Sequence, residues 1–437
     1  MASTYLSRTF GTATNRKKFT ISLWFKKASN SSNQQFLDTG VDGNNQDGFK
    51  IHSSQALKFN GYESGTTYEL QSNALLRDSS AWYNAVVSFD STQSTSTNRL
   101  KMYLNGEQIT SFSGATYPSL NFEPLMNKNT AHFIGSTFSN SNYFDGAMAM
   151  VEFVDGQQYG SEYFGSTDSN TGIWKPGGSS TISDYGTNGF KLKMDTTTPG
   201  ADTSGKGNNY AVAAGTFTLT QGSPSNNWAT WNPLAKYNRS ATFANGNTTV
   251  NSDNNSLWDS ARGTFGFEKG KWYWETKFFG SSAAFNYIGV CNENAIMGTN
   301  DAYDKNAVTV FYNADGGEMR KDGNPTSANY GTFSTSDVCG VAVDADNNTI
   351  SIYKNNSIIV TNYALSTSSI GNNGTGFIFP NAAVLDNGSG QYTNFGEGFF
   401  GTVAAGTSAD GNGQGLFAFS PPSGYYAINT KNLEAYG

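Results

Sequence analysis

Phe19-Thr20-Ile21-Ser22-Leu23-Trp24-Phe25 decides the fold class. Apolar and polar residues alternate through it, then give way to Lys26-Lys27 and a Ser/Asn-rich turn. A period of two puts Phe19, Ile21, Leu23 and Phe25 on one face of a strand. Similar alternation dominates the chain, and no amphipathic stretch of twelve residues reads as a helix. Turn-forming pairs punctuate it: Asn60-Gly61, Asn105-Gly106, Asp155-Gly156, Asn245-Gly246 and Asp322-Gly323. Such residues tolerate the positive φ that tight hairpins require. The predicted class is all-β.

One internal echo sets the organisation. Ala85-Val86-Val87-Ser88-Phe89-Asp90, a polar turn and Leu100-Lys101-Met102-Tyr103-Leu104-Asn105-Gly106 are matched later in the chain. The counterpart is Gly340-Val341-Ala342-Val343-Asp344, a turn, then Ile350-Ser351-Ile352-Tyr353-Lys354-Asn355-Asn356. Both read strand, turn, strand with a Tyr, then a hairpin-forming pair. The repeat points to two sandwiches of related construction rather than one large sheet. Between them the composition turns rich in Thr, Gly, Ser and Asn, as in Asp195-Thr196-Thr197-Thr198-Pro199-Gly200. The expected layout is a β-sandwich over 1–195, a joint over 196–235, a second sandwich over 236–400 and a C-terminal extension over 401–437. The end of the chain, from Pro421-Pro422 on, is expected to lie over a surface as an extended tail.

Composition excludes several classes. The 437 residues are long enough for two or three cored domains, and only 14% are charged, against roughly 25% on average. Aromatics are equally frequent at 14%, the opposite of a disorder signature. A net charge of −7 argues against nucleic-acid binding, which needs a basic stripe. No apolar run is long enough for a membrane-spanning helix, and residues 1–18 lack the apolar core of a secretion signal. Two Cys, Cys291 and Cys339, and two His, His52 and His132, are too few and scattered for a zinc-type cluster. Each Cys lies in an apolar run, which reads as a buried thiol. A disulfide between neighbouring strands is the alternative.

The search for catalytic chemistry returns no site. Asp344-Ala345-Asp346-Asn347-Asn348 suggests an EF-hand, yet Thr349 replaces the required Gly and Asn355 the bidentate Glu, so a hairpin turn explains it better. Gly200-Ala201-Asp202-Thr203-Ser204-Gly205-Lys206 mimics a phosphate loop but ends in Gly207, without strand-to-helix context. Glycoside hydrolysis needs two carboxylates facing across a cleft, and no Glu-x-Asp-x-x-Glu strand occurs. Glu268 and Glu275 flank Gly-Lys-Trp-Tyr-Trp with a spacing that suits strand ends. A Ser-His-Asp triad lacks its Gly-x-Ser-x-Gly elbow. Trp24, Trp82, Trp272 and Trp274 lie in alternating segments and are expected in cores. Tyr62, Tyr143, Tyr303 and Tyr330, read as rings in polar loops, are the candidate ligand contacts, with packing against a neighbouring subunit as the other reading.

Longer runs resemble known families. Trp82-Tyr83-Asn84-Ala85-Val86-Val87, Arg99-Leu100-Lys101-Met102-Tyr103-Leu104-Asn105-Gly106 and Phe144-Asp145-Gly146-Ala147-Met148-Ala149-Met150-Val151 resemble laminin-G-like, concanavalin-A-type jelly rolls. Gly270-Lys271-Trp272-Tyr273-Trp274-Glu275, Tyr287-Ile288-Gly289-Val290 and Asp337-Val338-Cys339-Gly340-Val341-Ala342-Val343-Asp344 resemble a SPRY domain, with a last core strand near Tyr392-Thr393-Asn394-Phe395-Gly396. The fold implied is two concanavalin-A-like antiparallel β-sandwiches in tandem.

The pairing, its joint, and the closing run Pro421-Pro422-Ser423-Gly424-Tyr425-Tyr426-Ala427-Ile428-Asn429 resemble structural proteins of tailed, marine-type bacteriophages. That resemblance implies a non-enzymatic virion-surface protein, a tail fibre or spike component that binds host-surface glycan or protein. A capsid or tail decoration or joint protein is the alternative, and a glycan-degrading enzyme the second. Implied partners are other virion proteins and further copies of the chain, a trimer being favoured, with assembly in the host bacterial cytoplasm and no nucleic acid or membrane insertion. Fibre proteins usually begin with a virion anchor, whereas here the first strand is expected by Thr4-Tyr5-Leu6. Calcium, common in laminin-G relatives, is not carried over because no residue set matches a ligand pattern, and no other cofactor is implied.

Overall fold

The computed structural model describes residues 3–437 except 31, 64, 238–240, 254–257, 281–285, 294, 296–306, 313–316, 322–323 and 366–375, with backbone alone for 66, 237, 307–312, 318, 321 and 324–329. Strand makes up 47% of the described residues and helix 3%, so the protein is all-β. It divides into two compact units, Met1–Leu219 and Thr220–Gly437.

The first unit is an antiparallel sandwich. Its larger sheet runs Phe112–Thr116, Thr66–Leu75, Ala56–Glu63, Asn45–Ile51, Gln34–Asp42, Ala131–Ile134, Tyr5–Thr9, Ala211–Ala214. Its smaller sheet runs Phe190–Leu192, Gly146–Asp155, Lys18–Lys27, Tyr83–Asp90, Leu100–Leu104, Glu107–Gln108. Phe19, Ile21, Leu23 and Phe25 do share the inner face, where they meet Leu37, Phe49 and Phe59 of the opposite sheet. Phe19 stacks on Phe89 at 4.7 Å between ring centroids.

The second unit has the same plan. One sheet contains Asp259–Gly263, Ile378–Val384 and Asn286–Asn292, and the other contains Gly390–Asn394, Lys271–Phe279, Cys339–Asp344 and Thr349–Lys354. Trp272 and Trp274 are fully buried between them with Ile288, Val290, Val341 and Val343. The internal echo is real: Tyr83–Asp90 with Leu100–Leu104, and Cys339–Asp344 with Thr349–Lys354, are equivalent antiparallel hairpins. Asn105-Gly106 and Asn355-Asn356 close the next turns with positive φ.

Several expectations need correction. Asn60-Gly61 is no turn but lies within the strand Ala56–Glu63, because a side chain at Gly61 would collide with Asp47 and the Tyr68 ring. Asp322-Gly323 falls outside the described residues. The stretch 196–235, read as a joint, is divided between the units: Ala211–Ala214 pairs with Tyr5–Ser7, and Trp231–Tyr237 pairs with Asp259–Gly263. The end of the chain is not a loose tail. Tyr426–Ala427 pairs with Trp272–Tyr273, and Thr430–Tyr436 forms a helix whose N-cap Asn429 accepts from the Asn432 N–H. Phe417, Ala427 and Ile428 are fully buried there. Glu275 sits mid-strand and buried rather than at a strand end. Trp24, Trp272 and Trp274 are buried, whereas Trp82 precedes its strand and is only half-buried. Cys291 and Cys339 are buried free thiols.

Candidate functional site

Alternation within the larger sheet of the first unit sorts two kinds of residue. Phe49 and Ile51, Leu57 and Phe59, and Tyr68 and Leu70 are all fully buried in the core. Lys50, Lys58 and Glu69, each between one of these pairs, therefore point to the other face. The register aligns Lys50 opposite Lys58, and Gly48 opposite Asn60, which stands opposite Glu69. Continuing the row, Gly48 faces Asp38, Asp38 faces Phe133, and Phe133 faces Ser7. One outer row thus crosses the sheet as Glu69, Asn60, Gly48, Asp38, Phe133, Ser7.

The smaller sheet has no comparable open face. Phe164, Tyr185, Tyr159, Tyr163 and Ile182 pack over its outer residues Val86, Val154 and Tyr103. On the larger sheet only one end of the row is covered. Phe138 lies against Gly40, and its N–H donates to Asp38 Oδ1 at 2.7 Å, while Gln35 Nε2 donates to Oδ2 at 2.9 Å. Burial raises the Asp38 carboxyl to about 7, against the opposing pull of the Phe138 N–H and Lys50. The other end, over Asn45–Ile51, Ala56–Glu63 and Thr66–Leu75, carries half-buried polar side chains.

Electrostatics on the open end are uneven. Lys58 Nζ pairs with Glu69 at 2.7 Å. Lys50 has no ion pair among the described residues, and burial followed by the Lys58 charge lowers its pKa. His52, two residues on, is lowered by burial and then by both lysines. Asn60 Oδ1 is shielded from solvent and finds no donor among the described residues. The carboxylates of the row, Asp38 and Glu69, are three inter-strand steps apart, about 14 Å. Acid–base cleavage of a glycosidic bond uses about 5–10 Å.

The four candidate tyrosines have separate fates. Tyr62 lies on this open face, in the strand Ala56–Glu63 opposite Gln46 and Thr67, not in a loop. Tyr143 is in a loop at the covered end, its hydroxyl donating to Asn140 O at 2.8 Å and its ring 6.3 Å from that of Tyr5. Tyr330 belongs to the second unit, partly buried against the core. Tyr303 lies outside the described residues. Reading the sequence missed Lys50, Lys58, Asn60 and Glu69. The signal was present, since each is the polar member of an apolar–polar alternation, but only the strand register brings them together. Among the described residues no group of three or more His, Cys, Asp or Glu is placed to hold a metal ion.

Comparisons with known proteins agree with this architecture. The family described as the concanavalin A-like lectin/glucanases superfamily matches residues 2–162, and the SPRY domain family matches residues 271–397. No curated protein matches the chain. Among solved structures, the SPRY domain of human HERC1 is similar with a TM-score of 0.31 and 13% identity, covering 37% of this chain and 96% of that one. The TRIM65 PSpry domain gives 0.31 and 15%, covering 38% and 90%. The Ruminococcus gnavus IT-sialidase CBM40 gives 0.23 and 17%, covering 30% and 71%. The chain carries a concanavalin A-like domain in its first half and a SPRY domain in its second.

Proposed function

We propose that the protein is a non-enzymatic virion-surface protein of a tailed bacteriophage, a tail fibre or spike component, which binds host-surface glycan through the open face of its first domain. The observation that carries the binding role is that face, where Tyr62, Asn60 and the two lysines stand on a rigid sheet left uncovered at one end. A ring supplies an apolar platform, and fixed polar groups supply orientation. The carboxylate separation supports binding rather than hydrolysis. The phage assignment rests on the pairing of these two domains and on the closing run from Pro421. Other virion proteins and further copies of the chain, a trimer being favoured, are the partners this role implies. Weak single contacts repeated in an oligomer raise avidity by about 10²–10⁴ where geometry permits.

Purified protein should bind surface polysaccharide of the host bacterium, lose that binding in Asn60→Ala and Tyr62→Ala, and release no reducing ends. Retained binding in both variants would move the site elsewhere, and release of reducing ends would make the protein an enzyme. The second reading, a capsid or tail decoration, is favoured by the low charged fraction of 14%, since interface cores are depleted in charge. Imaging the chain on capsid or tail decides between the two.

A further inference from the structure

Lys50 and Lys58 stand directly opposite each other on adjacent antiparallel strands of the open face. Their Cβ atoms are then about 5 Å apart, and like charges so placed destabilise a sheet unless something neutralises them. Glu69 neutralises Lys58, at 2.7 Å, but no carboxylate pairs with Lys50 among the described residues. Asp38 acts on Lys50 through space without an ion pair, and its oxygens are held by the Phe138 N–H and Gln35. His52 lies close to both lysines, its Nδ1 accepting the Ser54 N–H at 3.2 Å. Two facing lysines on one rigid face, only one of them in an ion pair, ask for a ligand that carries an anion.

We propose that Lys50, with Lys58 beside it, forms a subsite for an anionic substituent, a carboxylate or sulfate ester, on the glycan bound to this face. The inference rests on the reading of the face as a glycan site and adds the class of glycan. Glu69 limits the subsite to one anion by holding Lys58 from the far side.

Affinity electrophoresis of the full chain, at about 0.15 M salt to screen loose surface attraction, tests this with three probes of one backbone: dextran, carboxymethyl dextran and dextran sulfate. The carboxymethyl and sulfate arms separate the two sources of negative charge. At least one charged form should retard the protein where dextran does not. Lys50→Gln should weaken that retardation roughly tenfold, the loss expected for one charge-assisted hydrogen bond. Lys50→Arg should keep it, as should Lys101→Gln on the smaller sheet. Equal retardation by dextran, full retardation of Lys50→Gln, equal loss in Lys101→Gln, or no retardation by either charged form would overturn the subsite. Host polysaccharide binding that depends on Tyr62 would in those cases leave the glycan face standing, and its absence would remove both.

Discussion

Both domains cover the outer face of the sheet that carries the shared hairpin, but they anchor the cover differently. In the first, the Tyr185 hydroxyl donates to Glu152 at 2.5 Å, and Lys191 pairs with the same carboxylate at 3.2 Å. In the second, Glu275 accepts the Ala418 and Phe419 N–H groups at 2.8 and 2.9 Å and the Tyr273 hydroxyl at 3.2 Å. No cation pairs with Glu275 among the described residues, and burial lifts its carboxyl to about 7. The opposite sheets differ more. The first domain presents Lys50, Lys58 and Asn60, whereas the second packs Trp258, Tyr287 and Ala383 together and sets Arg262 over the Phe379 ring. One architecture therefore keeps one face structural in both domains and leaves the other free to diverge in chemistry.

The largest test of this comparison is to strip the cover. Phe417 is fully buried, 5.3 Å from the Tyr273 ring, and Phe164 plays the matching part over Val86 and Val154. Phe417→Ala should destabilise the second domain by about 3–5 kcal/mol, as should Trp274→Ala from the inside. Denaturant unfolding followed by Trp fluorescence reads this. A midpoint left unchanged by Phe417→Ala would show that the cover is ornamental and that the second domain also has an open hairpin sheet.

Buried carboxyls give the next effect, with opposite signs in the two domains. Asp47, wholly enclosed in the first core, accepts the Met126 N–H at 2.6 Å with the Tyr68 hydroxyl beside it, and burial outweighs both to raise it to about 8. Unfolded, the same group ionises near 3.8. Between those values the unfolded chain has released the proton and the folded chain still holds it, so stability from this group falls as pH rises from about 4 to about 8. Asp47→Asn should flatten that fall and raise the melting temperature of the first domain by at least about 3 °C at pH 8. Glu275→Gln should instead destabilise the second domain by about 1–3 kcal/mol, because its amide would face one of two N–H donors. Stabilisation by both substitutions would mean that the two carboxylates are equivalent.

The thiols offer a smaller contrast. Cys291 and Cys339 lie on different sheets of the second domain, and burial pushes Cys291 up to about 12 and Cys339 higher still. Neither should take up iodoacetamide in native protein, and both should after denaturation without reductant. Labelling of native Cys291 would show that the sheet opposite the cover opens readily in solution.

The run from Phe19 to Phe25 made the class legible because a half-buried strand writes its two faces into alternate letters. The hairpin echo was legible for the same reason. Asn60-Gly61 misled because its glycine serves a close approach between strands, a demand set by Asp47 and Tyr68 from elsewhere in the chain. The C-terminal cover was illegible because polar, Gly-rich segments hide their order in side-chain–backbone bonds. Asp410, for example, holds the Asn412, Gln414 and Ala427 N–H groups. The open face was half-legible: Lys50 and Lys58 could be sent outward from their neighbours, but nothing local says that they stand opposite each other.

Tyr62 and Tyr330 make the finest test, since sequence alone could not tell them apart. Tyr62 projects from the open face of the first domain, whereas Tyr330 packs partly buried against the core of the second. Substitution of an outward residue away from caps and buried partners usually changes stability by no more than about 0.5 kcal/mol, and loss of a ring from a core costs more. Tyr62→Ala should therefore leave both unfolding transitions in place while removing polysaccharide binding. Tyr330→Ala should lower the second transition and leave binding by the first domain intact. Reversed outcomes would transfer the binding role to the SPRY domain and make the open sheet a packing surface for another protein.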